Sequence, residues 1–396
     1  MRAGISSNRQ IRILHVVGGM DRGGTETWLM NVLRHIERAR ISMDFLVHTT
    51  EKRAFDDEIR SLGSKIIPCL HPSRPRLYAQ NLTRILKKDG AYDVIHSHVH
   101  QFSGFVMRLA ERAGVPLRIS HSHTVSAAEN ARSGIARSAY KSLMRFWIQR
   151  YSSLGLAASR DAAEALFGED WESDSRWKIL HCGIDLTPFK ARPDTAAVRA
   201  ELNIPPGTFV IGHVGRFERP KNHDFVISTF SEVARREPSA MLLLIGEGQL
   251  REGVMGRVKQ EGLSDRVRFL GLRPDVPRLM MGAMDVFLFP SLYEGLGIVL
   301  LEAQAAQLLS VVSEVIPAEA DLFHHLVIRL PLWRTPNFWA ERILANRALS
   351  GLRISRDCPA LMEGGEFDIR RNISGLMDLY GTFESRAAYA FADAVR

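Results

Sequence analysis

The stretch VFLFPSLYEGLGIVLLEA, residues 286–303, decides the fold class of this chain. Its first four residues, Val286–Phe289, are all apolar, which is typical of a strand buried on both faces of a parallel sheet. A loop with two glycines follows, and the pattern of Ile298–Ala306 then predicts a helix. A buried strand that leads through a loop into a helix is the repeating unit of doubly wound α/β domains.

The same alternation of short apolar runs and helical patterns covers most of the chain. In the first half, strands are predicted at Ile11–Val17, Met43–Val47, Val94–His96, Leu117–Ser120 and Leu154–Ala158, with helices at Thr25–His35, Arg76–Lys88 and Phe102–Ala113. The alternation begins again near Thr208, with strands at Phe209–Val214, Met241–Ile245, Val267–Leu270, Val286–Phe289 and Ser310–Ser313, and later helices near Trp339–Leu349 and Phe367–Leu379. Strands separated by helices pair in parallel, so the sequence predicts two Rossmann-like, doubly wound parallel-sheet domains that face each other across a cleft.

Chain length also favours two domains, because 396 residues exceed one ordinary hydrophobic core. The segment between the halves is rich in Pro and Gly and has no long apolar run, which predicts a linker with a short helix. The expected boundaries are 1–185 for an N-terminal domain, 186–206 for the linker, 207–375 for a C-terminal domain and 376–396 for a C-terminal helix.

Composition excludes several classes of protein. With 45% hydrophobic and 24% charged residues the chain is not mostly disordered, and no stretch approaches the roughly 18 apolar residues that span a bilayer. Its three cysteines, Cys69, Cys182 and Cys358, are too far apart for a disulfide framework or a cysteine zinc site, so we expect a cytoplasmic protein. The net charge of +8 favours an anionic ligand or surface.

The quoted stretch also carries the strongest sign of chemistry. Gly295 and Gly297 allow close approach of the backbone, and a helix that starts after them offers free N–H groups to a diphosphate. Glu294 and Glu302 then have the spacing to accept hydrogen bonds from sugar hydroxyls on either side. An alternative is a capping box formed by Ser291 and Glu294, with Glu302 on a solvated helix face. The residues alone favour neither interpretation.

Two cations are predicted near the same place. Arg216 and Lys221 follow the strand Phe209–Val214, so they lie at the carboxyl end of a parallel sheet, where ligands bind. Two positive charges there can neutralise a nucleotide diphosphate, and sugar transfer depends largely on stabilising that leaving group. The alternative is a pair of solvated surface charges.

Taken together, the motifs resemble those of the retaining glycosyltransferases of family 4. The matching segments are the glycine loop Gly18–Glu26, His181–Asp185, Val214–Asn222, Gly246–Gly248, Glu294–Ala306 and Val315–Glu319, in the same order over roughly residues 10–335. The last two resemble the exopolysaccharide branch. The chain departs from the family at Cys182, where Asn is usual, at 307–309, which read Gln-Leu-Leu instead of Gly-Leu-Pro, and after Pro331.

The resemblance implies a GT-B fold and a hexosyltransferase that keeps the anomeric configuration. The donor would be a nucleoside-diphosphate sugar, with UDP or GDP as the nucleotide, held by the C-terminal domain. The acceptor, a saccharide or a polyprenyl-diphosphate-linked saccharide of exopolysaccharide or capsule synthesis, would be held by the N-terminal domain. No nucleophile, cofactor, divalent metal or nucleic acid is expected, because the two cations do the electrostatic work of a metal.

The resemblance also assigns roles to residues. Arg216, Lys221 and the backbone of Gly295, Leu296, Gly297, Ile298 and Val299 would hold the diphosphate, Glu302 the ribose, Glu294 the donor sugar, and Gly23 and Gly24 the donor phosphate or the acceptor. His123 would lie near the reacting carbon of the sugar, with His121 as the alternative.

Histidines at alternating positions form two groups, His96–His100 and His121–His123. Side chains two apart on a strand share a face, so either group could begin a metal site. The second group is also similar to the His-x-His-Thr of metal-dependent phosphoesterases, but the C-terminal half has no series of further ligands for that chemistry. We interpret the first group as polar residues of the core and a loop.

A basic amphipathic helix is predicted shortly afterwards. Its cations are Arg132, Arg137, Lys141, Arg145 and Arg150, and its apolar residues are Ile135, Tyr140, Leu143, Met144, Trp147 and Ile148. Such a helix can lie on an anionic bilayer, or it can pack on the sheet and show its charges to water. The resemblance favours peripheral contact with the cytoplasmic face of the inner membrane.

Two other functions fit the same architecture. A nucleotide-sugar 2-epimerase would bind the same donor but needs acid and base carboxylates in the N-terminal domain and no acceptor. A regulatory subunit of a polysaccharide assembly complex would bind the nucleotide sugar without turnover.

Overall fold

Short parallel strands alternate with helices in each of two α/β units of the chain. The structure, a computed structural model, describes residues 9–88, 92–125, 134–347 and 357–394, with side chains up to residue 381. Unit 1 comprises Met1–Cys182 and Ile369–Arg396, and unit 2 comprises Gly183–Asp368. Each unit has its own parallel sheet, as the sequence predicts.

Unit 1 contains a seven-stranded sheet in the order β3-β2-β1-β4-β5-β6-β7. Its strands are β1 (Ile11–Val17), β2 (Ile41–Val47), β3 (Ile66–Pro68), β4 (Val94–Ser97), β5 (Leu117–Ser122), β6 (Leu154–Ala157) and β7 (Trp177–Ile179). Its helices up to Cys182 are α1 (Gly24–His35), α2 (Asp56–Ser61), α3 (Pro75–Lys88), α4 (Ser103–Arg112), α5 (Ile135–Tyr151) and α6 (Arg160–Phe167), with 3₁₀ turns at His100–Phe102 and Trp171–Ser173.

Unit 2 contains a six-stranded sheet in the order β10-β9-β8-β11-β12-β13. Its strands are β8 (Val210–Val214), β9 (Met241–Ile245), β10 (Val267–Gly271), β11 (Val286–Phe289), β12 (Leu309–Ser313) and β13 (Val327–Leu330). Its helices are α7 (Thr195–Glu201), α8 (His223–Arg236), α9 (Arg251–Gln260), α10 (Val276–Gly282), α11 (Ile298–Ala305), α12 (Pro336–Ala345) and α13 (Cys358–Met362), with 3₁₀ turns at Thr187–Phe189, Arg219–Lys221, Ala318–Ala320 and His324–Leu326.

Both sheets reverse their strand order once. In unit 1 the reversal lies between β1 and β4, and in unit 2 between β8 and β11. Consecutive crossovers on either side of such a point lie on opposite faces of the sheet, so the loops that follow the two central strands separate and leave room for a ligand at the carboxyl edge. The fold therefore places one candidate site on each unit.

The central strands are apolar because both of their faces are covered. In unit 2, Leu242, Leu244 and Leu288 are fully buried in one core cluster with Phe230 of α8 and Trp339 of α12. Successive side chains of such a strand point to opposite faces of the sheet, and both faces are apolar here. This explains why the runs that predict β9 and β11 contain no charged residue.

The domain boundaries differ from the predicted ones in two places. The predicted linker, 186–206, is part of unit 2, where Arg199 of α7 forms an ion pair with Asp285 at 2.8 Å. The last helix, α14 (Ile369–Ala394), begins seven residues before the predicted 376 and belongs to unit 1. There Nε1 of Trp28 donates to Oδ1 of Asn372 at 3.2 Å. The predicted end of the C-terminal domain, residue 375, is therefore wrong, because unit 2 ends at Asp368.

Most of the predicted elements are present with shifted ends. The strands β3, β7 and β13, of three or four residues each, were not predicted. The helix predicted at Trp339–Leu349 is α12, which ends at Ala345, and residues 348–349 lie outside the described residues. Among the described helices, none combines the length and the apolar character that crossing a bilayer requires.

One glycine in unit 2 fixes the loops at the carboxyl edge of the sheet. Gly246, directly after β9, has a φ of +141°, a conformation that side chains rarely adopt. A Cβ atom on Gly246 would lie 2.0 Å from the carbonyl oxygen of Gly215, the residue after β8. The loop that carries Arg216 therefore rests directly on the backbone of Gly246.

We predict that Gly246→Ala lowers the free energy of unfolding by about 2 kcal/mol or more, through backbone strain and the displaced Gly215 carbonyl. The matched control is Gly256→Ala in α9, where a Cβ meets nothing within 4 Å. This control is expected to raise stability by about 0.5–1 kcal/mol, because alanine is the better helix former. Urea unfolding measures both, and equal effects of the two variants would contradict the assigned contact.

Candidate active site

The site on unit 2 is built from the loops that follow β8 and β11. The backbone N–H of Leu292 donates to the carbonyl of Pro220 at 2.8 Å. The side-chain amide of Asn222 donates to the carbonyl of Pro290 at 3.0 Å. These two bonds bring together segments that are about 70 residues apart in the sequence, at the point where the sheet reverses.

Lys221 and Glu294 form an ion pair in this site. Nζ of Lys221 lies 2.5 Å from Oε1 of Glu294, and their side chains are only 20% and 12% exposed. The ammonium also lies 5.2 Å from the centre of the Phe289 ring. The sequence predicted separate ligand contacts for these two residues, whereas the structure joins them. A lysine has three N–H donors, so the pair leaves donors for a ligand.

Arg216 is the second cation of the site. Its side chain is 49% exposed and lies 3.5 Å from the carboxylate of Glu218. The neighbouring Gly215 lies under the Lys221 side chain, since a Cβ on Gly215 would be 3.1 Å from Cγ and Cδ of Lys221. The two cations therefore leave the same short loop, one half-exposed and one mostly buried.

Helix α11 begins at the end of the loop that follows β11, without a side-chain cap. Gly297 is the N-cap residue, with a φ of +86°, and among the described residues no side chain accepts a hydrogen bond from the first turn. The capping box suggested by Ser291 and Glu294 is therefore wrong, because the helix begins only at Ile298. The first amides of an uncapped helix carry partial positive charge and bind anions.

Glu302 lies on α11, one turn after its start. The side chain is partly buried, and burial raises the pKa of its carboxyl to about 7. This contradicts the alternative that places Glu302 on a fully solvated face. Near neutral pH the group changes between a carboxylate, which accepts hydrogen bonds from hydroxyls, and a neutral acid.

The candidate site on unit 1 is a cluster of histidines at the carboxyl ends of three adjacent strands. The cluster consists of His15 from β1, His96 and His98 from the end of β4, and His121 and His123 from the end of β5. The two groups that the sequence separates thus form one cluster. His15, which sequence reasoning missed, pairs with His96 in the register of β1 and β4. The sequence did offer a sign of this role, because His15 lies within the predicted strand Ile11–Val17.

Hydrogen bonds join the rings into two chains. In the first chain, Nδ1 of His15 lies 3.0 Å from Nε2 of His98, and Nδ1 of His98 lies 2.9 Å from Nε2 of His123. This chain ends at Cys182, whose Sγ lies 3.5 Å from Nδ1 of His123.

In the second chain, the hydroxyl of Tyr380 lies 2.9 Å from Nδ1 of His96, and Nε2 of His96 lies 3.2 Å from Nδ1 of His121. Tyr380 comes from α14 and could not be placed from the sequence. The interpretation of His96 as a core residue is confirmed by its complete burial, but His96 contacts the second histidine group.

Burial keeps the whole cluster neutral. It lowers the pKa of His15 and of His123 to about 3, and in the second case the electrostatic effect of nearby His100 acts in the same direction. Burial also lowers the pKa of the other three imidazoles well below the ordinary value. These rings therefore donate and accept hydrogen bonds at neutral pH rather than act as acids.

Neutral imidazoles can also bind metal, and two sets of three nitrogens lie within 4.8 Å of one another. The sets are His15, His96 and His98, and His98, His121 and His123. Within the described part of the chain, only Nε2 of His15 and Nε2 of His121 lack a hydrogen-bond partner in this cluster. The hydrogen bonds account for the spacing of the rings.

The glycine loop of unit 1 follows β1, also at the reversal point. Helix α1 begins at Gly24, with Gly23 as an extended N-cap residue. Gly24 is exposed and Gly23 is half-buried. Both predicted glycines therefore lie at the carboxyl edge of the sheet, on the unit that holds the histidine cluster.

Comparison with known proteins now decides the family. The model described as "Glycosyltransferase Family 4" matches residues 22–188, and that described as "Glycosyl transferases group 1" matches residues 194–331. A curated protein of Bacillus subtilis (strain 168), "Putative glycosyltransferase EpsF", is 33% identical over 381 residues, which cover 94% of this chain and 97% of that protein. The chain belongs to glycosyltransferase family 4.

Two further proteins resemble this glycosyltransferase. An Escherichia coli enzyme named UDP-Gal:alpha-D-GlcNAc-diphosphoundecaprenol alpha-1,3-galactosyltransferase is 28% identical over 59% of this chain and 61% of its own. The crystal structure of Anabaena Alr3699/HepE in complex with UDP and glucose has a TM-score of 0.78 and 19% identity, covering 94% of this chain and all of that chain. The predicted GT-B fold is confirmed by the two Rossmann-like sheets and this structural similarity.

The histidine cluster generates a prediction about pH. The folded glycosyltransferase keeps these rings neutral, whereas the unfolded chain takes up protons below an ordinary pKa of 6.5. The unfolded state then binds more protons, so stability is lost as pH falls below 6.5. Each buried histidine contributes a slope of about 1.4 kcal/mol per pH unit.

We therefore predict that His15→Asn reduces this slope by about 1.4 kcal/mol per pH unit, since one such ring is removed. Asparagine keeps a polar atom near the position of Nδ1. The matched control is His71→Asn at an exposed position. Urea unfolding at several pH values between about 4 and 7 measures the slope, and an unchanged slope in His15→Asn would contradict the prediction.

Proposed function

We propose that this glycosyltransferase moves a hexose from a UDP- or GDP-sugar to a saccharide or polyprenyl-diphosphate-linked acceptor, with retention of configuration, in exopolysaccharide or capsule synthesis. One observation carries the proposal: Lys221, Arg216 and the uncapped start of α11 belong to two loops that are tied together at the reversal of the unit 2 sheet.

The charges of this site match a diphosphate. The bond between the anomeric carbon and the phosphate oxygen breaks in the reaction, and negative charge develops on the leaving nucleotide. Lys221, Arg216 and the amides near Gly295, Leu296, Gly297, Ile298 and Val299 would hold that charge. The groups are positioned before the substrate arrives, because hydrogen bonds fix both loops.

The two glutamates would orient the rest of the donor. Glu302 would accept hydrogen bonds from the ribose, in its ionised form. Glu294 would bind the donor sugar through the carboxylate oxygen that does not face Lys221, and the ion pair would hold that carboxylate in place. The loop at Gly23 and Gly24 would contact the donor phosphate or the acceptor.

Retention follows if the acceptor attacks from the face that the phosphate leaves. The acceptor oxygen forms the new bond to the anomeric carbon, and its proton passes to the departing phosphate oxygen. This step needs no protein nucleophile, cofactor or metal, since the cations of the site stabilise the leaving group. We propose that His123, which burial keeps neutral, accepts a hydrogen bond from a hydroxyl of the donor sugar.

Known relatives support the choice of substrates. The name of the Escherichia coli relative gives a UDP-sugar donor and a lipid diphosphate acceptor. The Anabaena structure, which shares the fold, holds UDP and glucose. UDP-sugars and an undecaprenyl-diphosphate-linked saccharide are therefore the first substrates to try.

The proposal is tested with labelled UDP- and GDP-sugars and purified lipid-linked saccharide. We predict that Arg216→Ala lowers the turnover number about 100- to 1000-fold, as the loss of one group that stabilises developing charge commonly does. The matched control is Arg219→Ala, an exposed arginine of the same loop, with an effect within about threefold. Near-normal turnover of Arg216→Ala would refute the diphosphate role.

The same assay separates the other two functions. Sugar transfer that persists after dialysis against EDTA supports the proposal. Epimerised donor without transfer would favour a nucleotide-sugar 2-epimerase, and binding without turnover would favour a regulatory subunit. Lasting loss of transfer after chelation would favour a metal in the histidine cluster instead.

We also propose that α5 contacts an anionic membrane surface. Met144 and Ile148 are buried, whereas Tyr140, Leu143 and Phe146 remain exposed, Phe146 by 58%. The helix thus packs on unit 1 with one apolar side and presents another outward. Arg137, Lys141, Arg145 and Arg150 lie on the same helix, and Arg132 lies outside the described residues. Apolar residues bordered by cations suit a bilayer surface.

We predict that replacing Tyr140, Leu143 and Phe146 together by serine weakens binding to vesicles that contain phosphatidylglycerol at least tenfold, because three apolar contacts are lost. The control replaces Leu250 and Leu272, two exposed leucines of unit 2, by serine and should bind like the wild type. Sedimentation with vesicles measures binding, and equal binding of both variants would refute the contact.

A further inference from the structure

We propose that His98, His15 and Cys182 position His123 so that its Nδ1 is the nitrogen that accepts a hydrogen bond from a sugar hydroxyl. The inference rests on the proposed function for the identity of the ligand. Its structural part concerns only residues of unit 1.

In a chain of hydrogen-bonded imidazoles, the tautomer of each ring depends on the tautomer of its neighbours. A neutral imidazole has one N–H donor and one acceptor nitrogen. His98 uses both nitrogens, one toward His15 and one toward His123. Once one ring has its proton on a given nitrogen, the hydrogen bonds therefore fix the tautomer of the other two.

Cys182 favours one direction of this chain, and His98 supplies the acceptor nitrogen that this direction needs. Its side chain is buried, and burial raises the pKa of the thiol, which therefore keeps its proton at neutral pH. A ring nitrogen is a better acceptor than a thiol sulfur, so the S–H points toward Nδ1 of His123. His123 then carries its proton on Nε2 and donates it to Nδ1 of His98. His98 in turn donates from Nε2 to Nδ1 of His15.

The contact at Nδ1 is the weak point of the chain. The distance from Sγ to Nδ1 is 3.5 Å, an ordinary length for a contact to sulfur, and a thiol is a weak donor. A hydroxyl is a stronger donor than a thiol, so a sugar hydroxyl can take the place of the S–H at Nδ1. His123 is only half-buried at the carboxyl edge of the sheet. The chain therefore presents a neutral acceptor to the substrate and holds the ring by its opposite nitrogen.

The second chain provides a matched control. His96 lies two residues from His98, is buried in the same cluster and is hydrogen-bonded to Tyr380 and His121. Among the described residues it makes no hydrogen bond to His123. Replacement of His96 removes a buried imidazole of the same size, and it leaves every hydrogen bond of the chain that ends at His123 in place, although the His96 ring lies 4.3 Å from that of His98.

The experiment uses the full chain labelled with [¹⁵N]histidine, in long-range ¹H–¹⁵N spectra that show which ring nitrogen carries the proton. His123→Gln identifies the signal of His123. We expect the proton on Nε2 in the wild type and in His96→Leu, and a shifted or mixed tautomer in His98→Leu. His98→Asn is expected to restore the wild-type tautomer, because its amide oxygen can stand near the position of Nδ1.

Activity adds a second measurement. The value of kcat/KM for the donor should fall about tenfold in His98→Leu, the worth of one lost hydrogen bond, and recover in His98→Asn. A proton on Nδ1 in the wild type, or an unaltered tautomer in His98→Leu, would overturn the proposal. If His98→Leu does not fold, the spectra of the wild type and of His98→Asn still test the proposed tautomer of His123. The spectra need no substrate, so an absence of transfer in the wild type would overturn the proposed function without changing the result for the chain.

Discussion

The hydrogen bond from the amide of Leu292 to the carbonyl of Pro220 holds the unit 2 site together. It ties the loop after β8 to the loop after β11 at the only place where that sheet changes the direction of its strand order. The ion pair of Lys221 and Glu294 joins the same two loops, and α11 begins at the end of the second one. Together with the bond from the Asn222 side chain to the carbonyl of Pro290, it fixes the loop of the two cations against the loop that leads into α11.

The two units offer different kinds of electrostatic environment. On unit 2, charged side chains and the first amides of α11 lie in loops at the carboxyl edge of the sheet. On unit 1, five imidazoles, three of them buried and two partly buried, stay neutral and are joined by hydrogen bonds. The proposed transfer would use the fixed positive charge for the leaving group and the neutral imidazoles for sugar hydroxyls.

How much the sequence could predict depends on how local each feature is. The apolar runs of β8, β9 and β11 predict the sheet because burial on both faces leaves no room for charge. Arg216 and Lys221 could be placed at the sheet edge from the strand before them. The pairing of Lys221 with Glu294 could not, because it needs the contact between two loops. The end of the second domain was wrong for the same reason, since nothing local shows that α14 packs on unit 1.

The histidines show the same limit more clearly. Alternation along β4 and β5 revealed two groups, but their union requires the strand order, which places β1, β4 and β5 side by side. His15 and Tyr380 join the cluster from positions more than 80 residues away on either side. The capping box failed because the positive φ of Gly297 delays the helix start, a backbone property that residue spacing does not show.

The central claim is that the start of α11 and the two cations bind one diphosphate. The most direct measurement is a crystal structure of the protein with UDP. We expect phosphate oxygens about 3 Å from the amides of Ile298 and Val299 and from Nζ of Lys221. A diphosphate bound elsewhere, with these groups free of it, would contradict the account.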